Sequence, residues 1–155
     1  MIWAESRSQC TMDASQNEAP GWAKQQPLFE RKSGDRPLIS IVDDDESVRE
    51  SLPDLVRELG FAALAFSSAE EFLASDRADE TRCLILDIVM PGMSGPELQQ
   101  ELKLRRRQIP IVFITAQSSE TIRARVLEEG AVECLIKPFS DIALLDAVNS
   151  ALQAN

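Results

Sequence analysis

The sequence predicts an α/β fold, a doubly wound (βα)₅ sheet of five parallel strands covered by helices on both faces. Three observations carry the prediction. Five short runs rich in strand-favouring residues recur from Leu38 onward. The segments between and after them carry apolar residues at helical spacing. The two kinds of segment alternate along the chain, and such alternation calls for parallel strands joined by right-handed crossovers.

The first strand is 38–42 (LISIV). Val48, Leu52, Leu55, Val56 and Leu59 then keep helical spacing, with Pro53 inside the pattern. A proline there removes a backbone hydrogen bond and costs about 3 kcal/mol, which predicts a kink or an early break in this helix. The second strand, 62–66 (AALAF), leads to a short helix over 69–75. The third, 83–87 (CLILD), precedes a loop with Gly92 and Gly95 and a helix over 95–105. Those glycines suit a loop that needs positive φ, and turn punctuation explains them without any catalytic role. The fourth strand, 110–115 (PIVFIT), precedes a helix over 119–129. The fifth, 133–136 (ECLI), precedes a last helix that carries Ile142, Leu145, Val148 and Leu152.

Residues 1–36 read differently. They are rich in Ser, Gln, Asn, Ala, Pro and Lys, lack a sustained period, and end in Ser33-Gly34-Asp35-Arg36. This is the composition of a disordered tail ahead of a folded domain over 37–155. Trp3, Trp22, Leu28 and Phe29 offer a short docking segment within it, and Met12 an alternative start. The tail carries five acidic and five basic groups, so the whole net charge of −10 belongs to the folded part. Such a surface repels phosphate backbones, which argues against direct nucleic-acid binding.

The chain has no histidine. That removes Ser-His-Asp catalysis and His-ligated metals, and leaves carboxylates, lysine and hydroxyls to carry any chemistry. Cys10, Cys83 and Cys134 have no CxxC spacing and suit a reducing cytoplasm. No stretch resembles a signal peptide or the ~20 apolar residues of a membrane span, so a cytoplasmic location without membrane contact is expected.

In an open parallel sheet the ligand site lies beyond the carboxyl ends of the strands. Asp43 and Asp44 follow the first strand, Asp87 ends the third, Thr115 ends the fourth and Lys137 follows the fifth. Taken singly, an Asp or Thr here caps the next helix and a Lys is solvated, and capping is the favoured role for Asp45 and Ser47. Taken together, carboxylates ~4 Å apart repel by about 4 kcal/mol per pair at an effective dielectric of 20, which capping does not require. Lys137 supplies one positive charge against three negative. A divalent ion supplies the remainder, and oxygen-only ligands that leave room for a phosphate favour Mg²⁺.

The motifs Ile41-Val42-Asp43-Asp44-Asp45, Asp87-Ile88-Val89-Met90-Pro91-Gly92-Met93-Ser94-Gly95 with Glu97-Leu98, Ile114-Thr115-Ala116, Gly130-Ala131 and Lys137-Pro138-Phe139 match a family in order and spacing. From about Leu38 to Leu152 the chain resembles the receiver (CheY-like) domains of bacterial two-component response regulators. The resemblance implies a flavodoxin-like strand order of 2-1-3-4-5. It also implies that Asp87 accepts a phosphoryl group from a sensor histidine kinase or a histidine phosphotransfer protein. Asp44, Asp87 and the Val89 carbonyl would hold Mg²⁺, with Asp43 acting largely through bound water. Thr115 and the Ala116 amide would hold phosphoryl oxygens, Lys137 would offset charge, and the Lys137–Pro138 bond would be cis. Such a domain is not a turnover enzyme but assists its own phosphorylation and dephosphorylation. With no output domain after Leu152, a stand-alone receiver that signals by contact with a downstream protein is expected. Dimers are common in the family, and the residues here leave the oligomeric state open.

Three positions stand out against the pattern. Many receivers carry Tyr or Phe three residues before the lysine, where this chain has Cys134. That removes an aromatic rotamer switch and leaves coupling weakened or carried by loop and helix movement, with Cys134 itself read as a buried inert thiol. Val89 and Gln117 occupy positions that tune phosphoryl lifetime in relatives; only Gln117 can orient water, which predicts a moderately long lifetime. The one basic cluster, Lys103 and Arg105-Arg106-Arg107, falls at a predicted helix end, where cations complement the dipole. Two other functions compete with the receiver reading. A haloacid dehalogenase-like phosphohydrolase generally needs a second Asp two residues after its nucleophile, where Val89 stands. A receiver-like scaffold indifferent to phosphorylation is supported only by Cys134 and Pro53.

Overall fold

The computed structural model describes residues 36–154. The expectations for residues 1–35, namely disorder, the docking segment and Cys10, lie outside these. Five strands and five helices alternate: β1 (Leu38–Val42), α1 (Glu46–Glu58), β2 (Ala62–Phe66), α2 (Ala69–Ala74), β3 (Thr81–Asp87), α3 (Gly95–Leu104), β4 (Ile111–Thr115), α4 (Glu120–Glu128), β5 (Glu133–Ile136) and α5 (Asp141–Gln153). A 3₁₀ turn, Ala78–Glu80, leads into β3. All strand pairs are parallel, in the order β2-β1-β3-β4-β5, so the expected (βα)₅ fold and strand order are found.

Period-two alternation divides the core between the two faces of the sheet. Leu84, Leu86 and Phe113 join Phe72, Leu98, Leu102 and Val126 in one buried cluster, which places α2, α3 and α4 on one face. Cys83 and Ile85 point the other way. That side is covered by α1, which meets β1 and β2, and by α5, which meets β3, β4 and β5. Each helix begins with a side-chain cap that satisfies an otherwise orphaned N–H: Asp45, Ser68, Ser94, Ser119 and Ser140. Ser94 and Glu97 form a full capping box, so α3 starts at a sharply defined point just after the β3–α3 loop.

Two details differ from the sequence expectation. α1 continues through Pro53 to Glu58, so of the kink or early break expected there, the early break does not occur. Pro53 is buried with Leu52 and Val56, and continuing the helix keeps this apolar face on the sheet, which offsets one lost hydrogen bond. β3 starts at Thr81, two residues before the apolar run. Thr81 looks polar in sequence, yet its hydroxyl is buried against Ser40 Oγ at 2.7 Å, a pairing made only across strands. The basic cluster lies at the end of α3 as expected and is largely paired: Lys103 with Glu129, Arg105 with Glu101 and Arg107 with Asp79.

Candidate functional site

Strand register brings the polar strand ends together. Val42 pairs with Leu86, so Asp43 and Asp87 sit at adjacent tips of β1 and β3. Thr115 pairs with Ile136, and the Lys137 N–H donates to the Thr115 carbonyl at 2.8 Å, which sets Lys137 beside the end of β4. The Lys137–Pro138 bond is cis. Each of Asp43, Asp44 and Asp87 offers a carboxylate oxygen within 4.8 Å of the other two. Lys137 Nζ lies 2.9 Å from Asp43 Oδ2 and 3.8 Å from Asp87 Oδ1.

Asp43 is fully buried and Asp87 is 7% exposed, whereas Asp44 is open to solvent. Burial pushes the Asp87 carboxyl up from its ordinary value to about 7; the Asp43 and Asp44 charges push the same way, and Lys137 opposes them. Asp43 has more support. Its Oδ1 accepts the Asp45 N–H at 2.9 Å and its Oδ2 accepts Lys137. One ammonium against three carboxylates leaves an excess of about two negative charges when all are ionised. A hard divalent cation matches both that excess and the oxygen-only donor set.

The other expected residues are near this cluster but play distinct local parts. Thr115 is buried, and its Oγ1 accepts the Gln117 N–H at 3.1 Å, so the hydroxyl is engaged within the β4–α4 loop. Ala116 and Val89 are exposed, Val89 at 58%. Asp45 is the cap of α1, accepting from the Ser47 N–H and hydroxyl at 2.9 and 2.8 Å, and those bonds hold its carboxyl below the usual range. Cys134 is buried, and burial raises its thiol; Cys83 is pushed up to about 12 for the same reason. Neither thiol is activated. Beside Thr115 and Cys134 lies a gap of about 10 Å³, close to the least space a water needs and far too small for an aromatic ring.

Sequence reasoning missed Arg49. Its guanidinium donates to the Asp43 carbonyl at 3.0 Å, tying α1 to the acidic loop. An arginine six residues past an aspartate carries no sequence signal, because the contact exists only once the chain has turned from β1 into α1.

Comparison with known proteins gives a consistent result. The family model described as the response regulator receiver domain matches residues 39–149. Nodulation protein W of Bradyrhizobium diazoefficiens is 44% identical over 116 residues, covering 75% of this chain and 51% of that protein. The response regulator protein TodT of Pseudomonas putida is 41% identical over 116 residues, with the same coverage of 75% and 51%. The chain thus spans about half the length of these relatives. Among solved structures, the response regulator StyR superposes with a TM-score of 0.71 at 48% identity, covering 77% of this chain and 61% of that one. FixJ-N superposes with a TM-score of 0.70 at 36% identity, covering 77% and 95%. With the fold, the strand-end carboxylates and the matched span all in agreement, the chain belongs to the response regulator receiver family of two-component signalling.

Proposed function

We propose that this receiver takes a phosphoryl group onto Asp87 from a phosphohistidine donor, on a sensor histidine kinase or a histidine phosphotransfer protein, with Mg²⁺ as the required cation. The observation that carries the reading is the convergence of Asp43, Asp44 and Asp87 around a single ammonium, Lys137. Asp44, Asp87 and the Val89 carbonyl would hold the cation, with Asp43 reaching it through water. When bound, Mg²⁺ supplies charge neutralisation for the carboxylates and the incoming phosphoryl oxygens.

The residues of the chain divide the remaining work. An Asp87 oxygen attacks phosphorus in line as the bond to the donor imidazole nitrogen breaks, giving an acyl phosphate on Asp87. Only the ionised carboxylate is a competent nucleophile, and in the metal-free protein burial and the Asp43 and Asp44 charges oppose that ionisation. Lys137 favours ionisation and offsets charge developing on the transferred group. Thr115 Oγ and the Ala116 amide would donate to phosphoryl oxygens, and for Thr115 this means turning its hydroxyl proton away from the Gln117 carbonyl, 3.4 Å off, while it can still accept the Gln117 N–H. The added charge of about −1.5 to −2 would bias the neighbouring surface, with output by contact with another protein in the cytoplasm. The chain acts as a phosphoacceptor that assists its own phosphorylation and dephosphorylation, not as a turnover enzyme.

Among the described residues no helix is long and apolar enough to cross a membrane. The net charge of −10 disfavours direct nucleic-acid contact by the domain itself. The test is intact mass after exposure to a small acyl-phosphate donor, with Mg²⁺ or with chelator. A single phosphoryl adduct that requires Mg²⁺ and is lost in Asp87→Asn is expected. Unchanged mass with every donor would instead favour a scaffold indifferent to phosphorylation.

A further inference from the structure

The loop from Ile88 to Ser94 leaves β3 directly after Asp87 and enters α3 at Gly95. Its base is closed by two bonds: the Ile88 N–H donates to the Ile114 carbonyl at 3.1 Å, and the Gly95 N–H to the Ile88 carbonyl at 3.0 Å. The Met90 side chain is buried beneath it. Across residues 89–93, one protein hydrogen bond is found among the described residues: the Met93 N–H donates to Glu70 Oε2 at 3.1 Å.

Glu70 is exposed and takes no part in capping α2, its own helix. That helix is served by Ser68, which accepts the Glu71 N–H, and by Glu71, whose carboxylate accepts the Ser67 N–H and hydroxyl. The hydrogen bond of Glu70 crosses instead to a loop 23 positions later. Its base is firm, since Ala69 and Phe72 are fully buried and Phe72 meets Phe66 edge-on with centroids 5.4 Å apart. Gly92 lets the carboxylate come close: its φ is +72°, and a Cβ there would stand 3.0 Å from Glu70 Oε2. The hydrogen bond and the absent side chain point to the same contact.

We infer that Glu70 is a positioning residue for the cation site, latching the β3–α3 loop so that the Val89 carbonyl keeps a fixed place two residues beyond Asp87. This rests on the reading of the site as a cation-dependent phosphoacceptor. A loop already held need not be ordered when the cation binds, so the latch raises affinity without touching the ion. Its action depends on accepting the Met93 N–H, not on carrying a charge.

Calorimetric titration of MgCl₂ into the full chain separates these possibilities, using wild type, Glu70→Ala and Glu70→Gln. Glu70→Ala is expected to bind about 3- to 10-fold more weakly, the equivalent of one hydrogen bond. Glu70→Gln keeps an oxygen acceptor and is expected to bind within about twofold of wild type. In phosphorylation by an acyl-phosphate donor, Glu70→Ala should raise the half-saturating Mg²⁺ concentration and leave the rate at saturating Mg²⁺ unchanged. Equal affinity in wild type and Glu70→Ala would overturn the latch while leaving the phosphoacceptor reading intact. A Gln variant as weak as the Ala variant would overturn it as well, by showing that charge is what matters. Absence of Mg²⁺ binding in wild type would overturn both readings.

Discussion

Asp87→Asn is expected to raise the thermal midpoint of the metal-free protein at pH 8, even though it removes the proposed phosphoacceptor. Burial and the Asp43 and Asp44 charges hold the Asp87 carboxyl near pKa 7 in the fold, against 3.8 as the ordinary value. The folded state therefore binds this proton more tightly than the unfolded chain does. Its contribution to stability is fully present below about pH 4 and is lost as pH rises to 7, above which the ionised carboxylate weakens the fold. At about 1.4 kcal/mol per unit the ceiling is near 4 kcal/mol, and relaxation around the site brings the expected gain to about 2 kcal/mol. For a domain of this size that is roughly 5–10 °C. The gain should shrink steadily as pH falls and vanish near pH 4. Adding Mg²⁺ should stabilise wild type more than the variant. Thermal unfolding of both proteins from pH 4 to 8, with and without Mg²⁺, checks each sign; a variant less stable at pH 8 would show that the carboxylate is not strained.

Gly95→Ala is expected to lower stability by about 2–4 kcal/mol, the range for overpacking a tightly closed site. Helix propensity alone predicts the opposite, since Ala is favoured over Gly by about 1 kcal/mol inside a helix. Sterics decide. A Cβ at residue 95 would stand 2.3 Å from the Asp87 carbonyl oxygen and 3.0 Å from both Ile88 Cα and Phe113 Cε1. Two of these three neighbours are backbone and cannot rotate away. Relief requires α3 to move off β3, which breaks the 3.0 Å bond from the Gly95 N–H to the Ile88 carbonyl and disturbs the loop that carries Val89. Urea unfolding should show the loss, and a stability equal to or above wild type would contradict the close approach of α3 to β3.

Most of the architecture was legible because parallel strands buried on both faces leave apolar runs, and because each run ends where a polar side chain is needed. The strand ends at Asp43, Asp87, Thr115 and Lys137 were visible for the same reason. What escaped depends on contacts between distant segments. Thr81 became strand through a buried bond to Ser40. Pro53 was accommodated because its helix face is buried, which local propensity does not register. The Arg49 and Glu70 contacts cross from a helix to a loop and leave no periodicity to detect. The engagement of the Thr115 hydroxyl by Gln117 is likewise a property of the folded loop.

The three crowded carboxylates are expected to form a dication site built around Asp87. Titration of Mg²⁺ into the intact wild-type chain at pH 7.5, beside Asp87→Asn, tests it most directly. Saturable one-to-one binding is predicted, weakened at least about tenfold by the substitution, together with proton release that grows as the pH is lowered toward 7. Absence of binding, or equal affinity in the two proteins, would contradict it.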